Sequence, residues 1–198
     1  MLKSSFSSGK IEAGCDEAGR GPLAGPVVAS AVILPEDYVN PFLNDSKKLT
    51  KKVLERLEIE IKRDALAWEV VEVNHTEIDE INILNASFIA MHRAVDKLKI
   101  KPELLLIDGN RFKPYTGISH ECIIKGDGKY MSIAAASILA KTHRDRLMTK
   151  AALQYPGYGW ETNAGYPTKK HRDAIRLLGI TPLHRKSFRL LPEQSELF

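Results

Sequence analysis

The run Gly14-Cys15-Asp16-Glu17-Ala18-Gly19-Arg20-Gly21-Pro22 constrains the fold more than any other, because it sets two adjacent carboxylates at the end of an apolar strand pattern. Neighbouring strand residues point to opposite faces, so Asp16 and Glu17 can serve one site only where the strand ends and glycine bends the backbone. Two further acids hold comparable places. Leu104-Leu105-Leu106-Ile107 reads as a buried strand ending in Asp108-Gly109-Asn110. Cys122-Ile123-Ile124 runs into Lys125-Gly126-Asp127-Gly128-Lys129, just ahead of a small-residue helix. Ligands of α/β sheets bind beyond the carboxyl ends of the strands. Asp16, Glu17, Asp108 and Asp127 therefore suggest one metal cluster, since carboxylates suit Mg²⁺ and Mn²⁺, whose shells water and phosphate complete.

The remaining pattern belongs to the α/β class. Residues 10–16, 27–34 and 65–73 read as strands, with a helix at 49–63 before the third. Thr50 is placed to cap that helix, and Val53, Leu54, Leu57 and Ile61 form its apolar stripe. A longer helix is expected at 82–98, with Leu84, Phe88, Met91, Val95 and Leu98 facing the core. Strands at 104–107 and 122–124 precede a helix at 130–153, which Pro156 and Gly157 end. Thr168 opens a last helix that Gly179 closes after Leu178. Strands followed by strand and helix alternation imply a mixed sheet flanked by helices, whose strand order the pattern alone leaves open.

A chain of 198 residues fits one domain with a sizeable core. Cys15 and Cys122 each fall inside a strand, which reads as two buried free thiols and a reducing cytoplasm. Residues 1–9 are polar and serine-rich, a mobile arm without the apolar centre of an export signal. The net charge of +4 hides an asymmetry: residues 141–189 hold 11 Lys and Arg against three Asp and Glu, a basic face able to meet phosphate. Asp145, deep in a helix between arginines, competes with Asp127 for the fourth place in the cluster and reads rather as an ion-pairing or structural acid. The six histidines show no zinc spacing. His171 and His184 lie in the basic part, where phosphate contact competes with packing.

Together with Asp45-Ser46-Lys47-Lys48-Leu49, the helix opening Ser132-Ile133-Ala134-Ala135-Ala136-Ser137-Ile138-Leu139-Ala140-Lys141, and Gly165-Tyr166-Pro167-Thr168, this pattern resembles the ribonuclease HII family, the bacterial type 2 ribonucleases H, over residues 11–188. The resemblance implies a ribonuclease H-like mixed five-stranded sheet: three antiparallel strands, two more parallel to the first, flanking helices and an added C-terminal helical region. Its divisions would be an arm at 1–9, a catalytic core at 10–153, a substrate-gripping region at 154–190 and a tail at 191–198.

The implied activity is cleavage of the RNA strand of RNA/DNA hybrids, and of duplex DNA on the 5′ side of single embedded ribonucleotides. Two Mn²⁺ or Mg²⁺ ions would act, leaving 3′-hydroxyl and 5′-phosphate ends. By the same resemblance Asp16, Glu17, Asp108 and Asp127 are the metal ligands, and Gly19-Arg20-Gly21 reads the ribose while its arginine supports phosphate. Tyr166 stacks beside the sugar at the ribonucleotide junction, and Lys47, Asn82 and Lys141 meet the nucleic-acid backbone. A monomer in the cytoplasm is expected. The tail Gln194-Ser195-Glu196-Leu197-Phe198 resembles the Gln-x-x-Leu-Phe peptides that dock on the bacterial sliding clamp, through Gln194, Leu197 and Phe198, unless it is a bare chain end. Two rival readings stay open: another ribonuclease H-like metal nuclease, such as a type 1 ribonuclease H or a junction resolvase, and a non-catalytic nucleic-acid-binding module. The second leaves the clustered acids unexplained, since they repel phosphate unless metal neutralises them.

Overall fold

The structure, a computed structural model, describes residues 2–44, 46 and 49–192. Strands β1 (Glu12–Ala18), β2 (Val27–Ile33), β3 (Ala67–Val73), β4 (Leu104–Asp108) and β5 (Ser119–Ile123) form one sheet in the order β3-β2-β1-β4-β5. The first three are antiparallel neighbours. β4 and β5 add parallel to β1, giving the mixed sheet that the resemblance implies. Helices α1 (Lys51–Asp64), α2 (His75–Ile81), α3 (Ile83–Lys97), α4 (Met131–Gln154), α5 (Trp160–Asn163) and α6 (Lys169–Leu178) complete it. Among the described residues no helix is long and apolar enough to cross a membrane.

Strand alternation divides the core into two layers. Ala13 and Cys15 of β1 and Leu105 and Ile107 of β4 pack on Ala86, Ala90, Met91 and Ala94 of α3. Val32 of β2 turns the other way, into a layer built from Leu54, Leu57 and Ile61 of α1 and Met131, Ala135 and Ile138 of α4. Gly14 belongs to that second face, and there α4 lies directly on the strand. A Cβ at Gly14 would stand 2.2 Å from the carbonyl carbon of Ser132 and 2.4 Å from the nitrogen of Ile133. Residues 131–140 of α4 are all buried, which explains why this half shows no amphipathic period. Farther along, Arg146 donates to Glu58 of α1 at 2.6 and 2.7 Å, and Lys62 adds a bond at 2.6 Å. Burial alone would raise the Glu58 carboxyl, yet these two cations hold it down to about 2.

Several expectations are corrected. The 82–98 helix is preceded by a separate one, α2, whose Asn74 cap accepts from the Glu77 N–H at 2.9 Å. Asn82, at φ 64, divides the two. Of the expected α3 stripe Met91 and Val95 are buried, but Leu84 and Phe88 lie at the margin, and Ala86, Ser87, Ala90 and Ala94 share the buried face because the helix sits close to the sheet. Thr50 precedes α1 without a side-chain capping bond, whereas Thr168 accepts from the His171 N–H at 3.2 Å as expected. Between the break after α4 and the helix that Thr168 opens, where the pattern assigns no element, the short α5 forms.

Residues 2–9 are tied down rather than standing off. The Lys3 N–H donates to the Lys129 carbonyl at 2.8 Å and the Met131 N–H to Lys3 at 2.9 Å, while buried Glu12 accepts from the Phe6 N–H at 2.9 Å. Both cysteines are free, with Cys15 fully buried and Cys122 half-buried.

Gly14→Ala should destabilise the protein by about 3 kcal/mol, since the backbone of α4 must move to admit one methyl group. Urea unfolding checks this. An unchanged midpoint would show that the helix is not seated on the strand.

Candidate active site

Parallel pairing aligns Cys15 of β1 with Ile107 of β4, so Asp16 and Asp108 follow side by side where the ladder ends. Asp16 is on the α4 face and only 6% exposed. Burial first, then the charges of Glu17 and Asp108, push its carboxyl well above the usual aspartate range. Two donors oppose that push: the Glu17 N–H at 2.7 Å, and Ser137. When ionised the carboxylate can only accept, so the Ser137 hydroxyl proton is then committed to it. Ser46, 3.0 Å from Ser137, must then donate in turn.

One cleft of about 230 Å³ is lined by Asp16, Glu17, Gly19, Arg20, Gly21, Asp108, Lys141 and Tyr166, together with Ser46, Ser137, Arg144 and Asp145. It thus gathers most of the expected residues at one strand end. Glu17 points to the opposite face from Asp16, and it and Asp108 also border a smaller hollow beside Leu84 and Phe88 of α3. The site therefore straddles the edge of the sheet, as the alternation of two neighbouring acids requires.

Asp127 does not line the cleft. It is buried on a short 3₁₀ turn, Gly126–Gly128, which hangs from Asp108 through a 2.7 Å bond from the Gly126 N–H. Asn82 is also outside, its side chain capping α3 by accepting from the N–H groups of Leu84 and Asn85. Lys47 and the tail residues Gln194, Leu197 and Phe198 lie outside the described residues.

Two cations at the rim rest on acids. Arg20 stands 3.4 Å from Glu17, and Lys141 2.9 Å from Asp145, which is the ion-pairing role expected of Asp145. Partly exposed pairs of this kind are worth about 0–1 kcal/mol, so a phosphate can replace either acid at little cost. Gly19 and Gly21 meet different neighbours. Gly19, at φ 99, would drive a Cβ to 2.1 Å from Nε of Arg144. Gly21 faces the Tyr166 ring, 3.5 Å from where its Cβ would be, so the two segments expected to read the substrate stand against each other.

The family model of ribonuclease HII matches residues 13–191. The chain belongs to the ribonuclease HII family. It is 63% identical over 197 residues to the ribonuclease HII of Parabacteroides distasonis, covering 100% of this chain and 99% of that protein. With the ribonuclease HII of Porphyromonas gingivalis it shares 57% identity over 178 residues, 90% and 89% of the two chains. Among solved structures, the ribonuclease H2 of Pyrococcus horikoshii matches with a TM-score of 0.76 at 28% identity, over 90% of this chain and 94% of that one. The PCNA:RNase HII complex of Archaeoglobus fulgidus gives 0.74 at 27%, over 94% and 98%. Membership makes the chain a type 2 ribonuclease H, an endoribonuclease.

The donor chemistry suits a hard divalent ion. All the acids gathered here offer oxygen, and a cation would offset the burial and the repulsion that together raise Asp16. Among the described residues no three His, Cys, Asp or Glu side chains are grouped so as to hold an ion unaided.

Sequence reasoning missed Arg144 and Arg185 as structural parts of this region, while for His171 and His184 the packing alternative holds. Both histidines are 0% exposed, which removes them from phosphate contact. The Thr181 N–H donates to Nδ1 of His184 at 2.8 Å, so the His184 proton sits on Nε2, facing Nε2 of His171 at 3.2 Å. Trp160 donates to that same His171 atom at 2.9 Å, leaving His171 to give its Nδ1 proton to the Tyr166 carbonyl at 3.0 Å. Two neutral rings thus fix the backbone of Tyr166. Burial, then His171, pulls His184 down to about 4.

A histidine depressed in the folded state contributes stability in full above its unfolded value of 6.5, and loses it as pH falls towards about 4. Asp16 acts in the opposite sense, so Asp16→Asn gives the cleaner background. In that variant unfolding free energy should drop by about 1–2 kcal/mol between pH 7 and pH 5. NMR should meanwhile show the His184 ring still neutral at pH 5, and a ring midpoint near 6.5 would refute the network.

Proposed function

We propose that the chain hydrolyses the ribonucleotide-containing strand of RNA/DNA hybrids and of duplex DNA with single embedded ribonucleotides, cutting on the 5′ side of the ribonucleotide. Water adds to phosphorus as the bond to the preceding O3′ breaks, so one end keeps a 3′-hydroxyl and the ribonucleotide keeps a 5′-phosphate. The observation that carries this reading is the single cleft in which Asp16, Glu17 and Asp108 meet Gly19, Arg20, Gly21 and Tyr166.

Asp16, Glu17 and Asp108, with Asp127 on the turn that Asp108 holds, would bind a pair of Mn²⁺ or Mg²⁺ ions. Bound there, the ions supply an activated water and charge stabilisation at the leaving oxygen. An Mn²⁺ complex is known for the ribonuclease HIII named Bst-RNase HIII, whose fold is similar. Arg20 and Lys141, released from Glu17 and Asp145, hold the phosphates beside the scissile one. Gly19-Arg20-Gly21 presents backbone to the 2′-hydroxyl, the group that distinguishes ribose. Tyr166, 46% exposed and leaning over Arg144 at 5.9 Å, offers its free face to the sugar at the junction.

The enzyme acts as a cytoplasmic monomer in this reading. The tail, through Gln194, Leu197 and Phe198, docks on the sliding clamp, a partner type supported by the archaeal PCNA:RNase HII complex among the structural neighbours. Retention of the full chain on immobilised clamp, lost without residues 194–198, checks that partner; no retention of the full chain refutes it.

The deciding assay offers three duplexes to the protein with Mg²⁺ or Mn²⁺: one with a single ribonucleotide, one a long hybrid, one all DNA. The first two should be cut and the third left whole, with no cleavage in chelator. Asp108→Asn should slow turnover about a thousandfold, the several kcal/mol a metal centre contributes. Tyr166→Ala should slow cleavage at the lone ribonucleotide by about tenfold more than within the hybrid. Undiminished turnover in Asp108→Asn would overturn the site.

A further inference from the structure

Arg185 is 0% exposed, and its three guanidinium nitrogens all donate to backbone carbonyls: Nη2 to Gly19 at 2.7 Å, Nη1 to Arg20 at 3.0 Å and Nε to Gly25 at 3.0 Å. Its own segment is clamped. The Arg185 N–H donates to Leu23 at 2.8 Å, and Asp79 accepts from the N–H groups of Lys186 and Ser187, each at 2.9 Å. Arg144 does the same from α4, donating to Ala24, Pro26 and Ala164.

A trans peptide is planar, with its C=O and N–H pointing in opposite directions. The Gly19 carbonyl shares a peptide plane with the Arg20 N–H, and the Arg20 carbonyl shares one with the Gly21 N–H. Pinning both carbonyls inward on one buried, planar cation therefore turns both N–H groups outward. Arg20 and Gly21 line the cleft, and among the described residues neither N–H donates to another backbone carbonyl.

We propose that Arg185 is a positioning residue for ribonucleotide recognition: from behind the loop it aims the Arg20 and Gly21 N–H groups at the site of the 2′-hydroxyl. This rests on the reading of the cleft given above. Arginine is required because its rigid fork serves several carbonyls at fixed angles, whereas a lysine ammonium is a point charge without that geometry.

The test compares wild type with Arg185→Lys, which keeps the buried charge and some of its bonds. Fluorescein-labelled duplexes, one with a single ribonucleotide and one all DNA, are titrated in Ca²⁺ and followed by anisotropy. Wild type should favour the ribonucleotide duplex. Arg185→Lys should bind all-DNA duplex within twofold of wild type but lose at least tenfold of that preference. In Mg²⁺ its KM for the single-ribonucleotide duplex should rise by more than its kcat falls.

An Arg185→Lys protein that discriminates as well as wild type, or weakens equally on both duplexes, overturns the positioning role while ribonucleotide recognition stands. A wild type without preference overturns recognition itself and the proposal with it. Backbone ¹⁵N relaxation of the free wild type decides the matter should Arg185→Lys not fold. The Arg20 and Gly21 amides should be as rigid as β1, with order parameters of about 0.85, and values below about 0.6 would overturn the proposal.

Discussion

Parallel pairing of β1 with β4 is the interaction on which the site depends. Register in that ladder sets Asp16 beside Asp108, and nothing else in the sequence, where they are far apart, would bring them together. The same pairing would be costly alone, because it buries a carboxylate next to two others. The fold sustains it with packing elsewhere: Gly14 lets α4 seat its alanines on β1, and that seating delivers Ser137 and Lys141 to the strand end. Repulsion among acids is thus a property the fold imposes, and the property that makes a divalent cation welcome there.

A second constraint comes from the C-terminal region. Arg144 and Arg185 thread six bonds into the carbonyls of residues 19, 20, 24, 25, 26 and 164, so the loop after β1 is shaped from behind by segments far away in the chain. Burial pulls their guanidiniums down to about 10 and about 9, which still leaves both charged at neutral pH. The His171–His184 pair fixes the Tyr166 backbone on the other side. The region that would grip substrate is, by these contacts, also part of the frame of the cleft.

How much of this could be read from the sequence follows from what leaves a periodic or positional trace. Strand alternation and glycine punctuation make Asp16, Glu17 and Asp108 legible as strand-end acids, whereas the order of the sheet they end comes only from the family resemblance. Arg144 and Arg185 were counted towards a basic face because a buried cation satisfied by carbonyls looks, in sequence, like any surface arginine. Asp127 is legible as an acid of the cluster from its loop and from the family resemblance, but the sequence does not tell that its turn hangs from Asp108 outside the cleft lining. On α3 the expected stripe holds at Met91, Val95 and Leu98, yet close approach to the sheet adds Ala86, Ala90 and Ala94, which a search for large apolar residues passes over. The Asn74 and Glu77 pair, a capping pattern, was the available signal for α2.

The measurement that bears most directly on the site is the protonation of Asp16, followed by carboxyl ¹³C NMR in metal-free protein. Burial among Glu17 and Asp108 predicts a midpoint well above the ordinary 3.8, moving down in Asp108→Asn and again when Mg²⁺ is added to the wild type. A midpoint at or below 3.8 in the metal-free wild type would mean that the strand ends do not gather their carboxylates, and would contradict the site built on them.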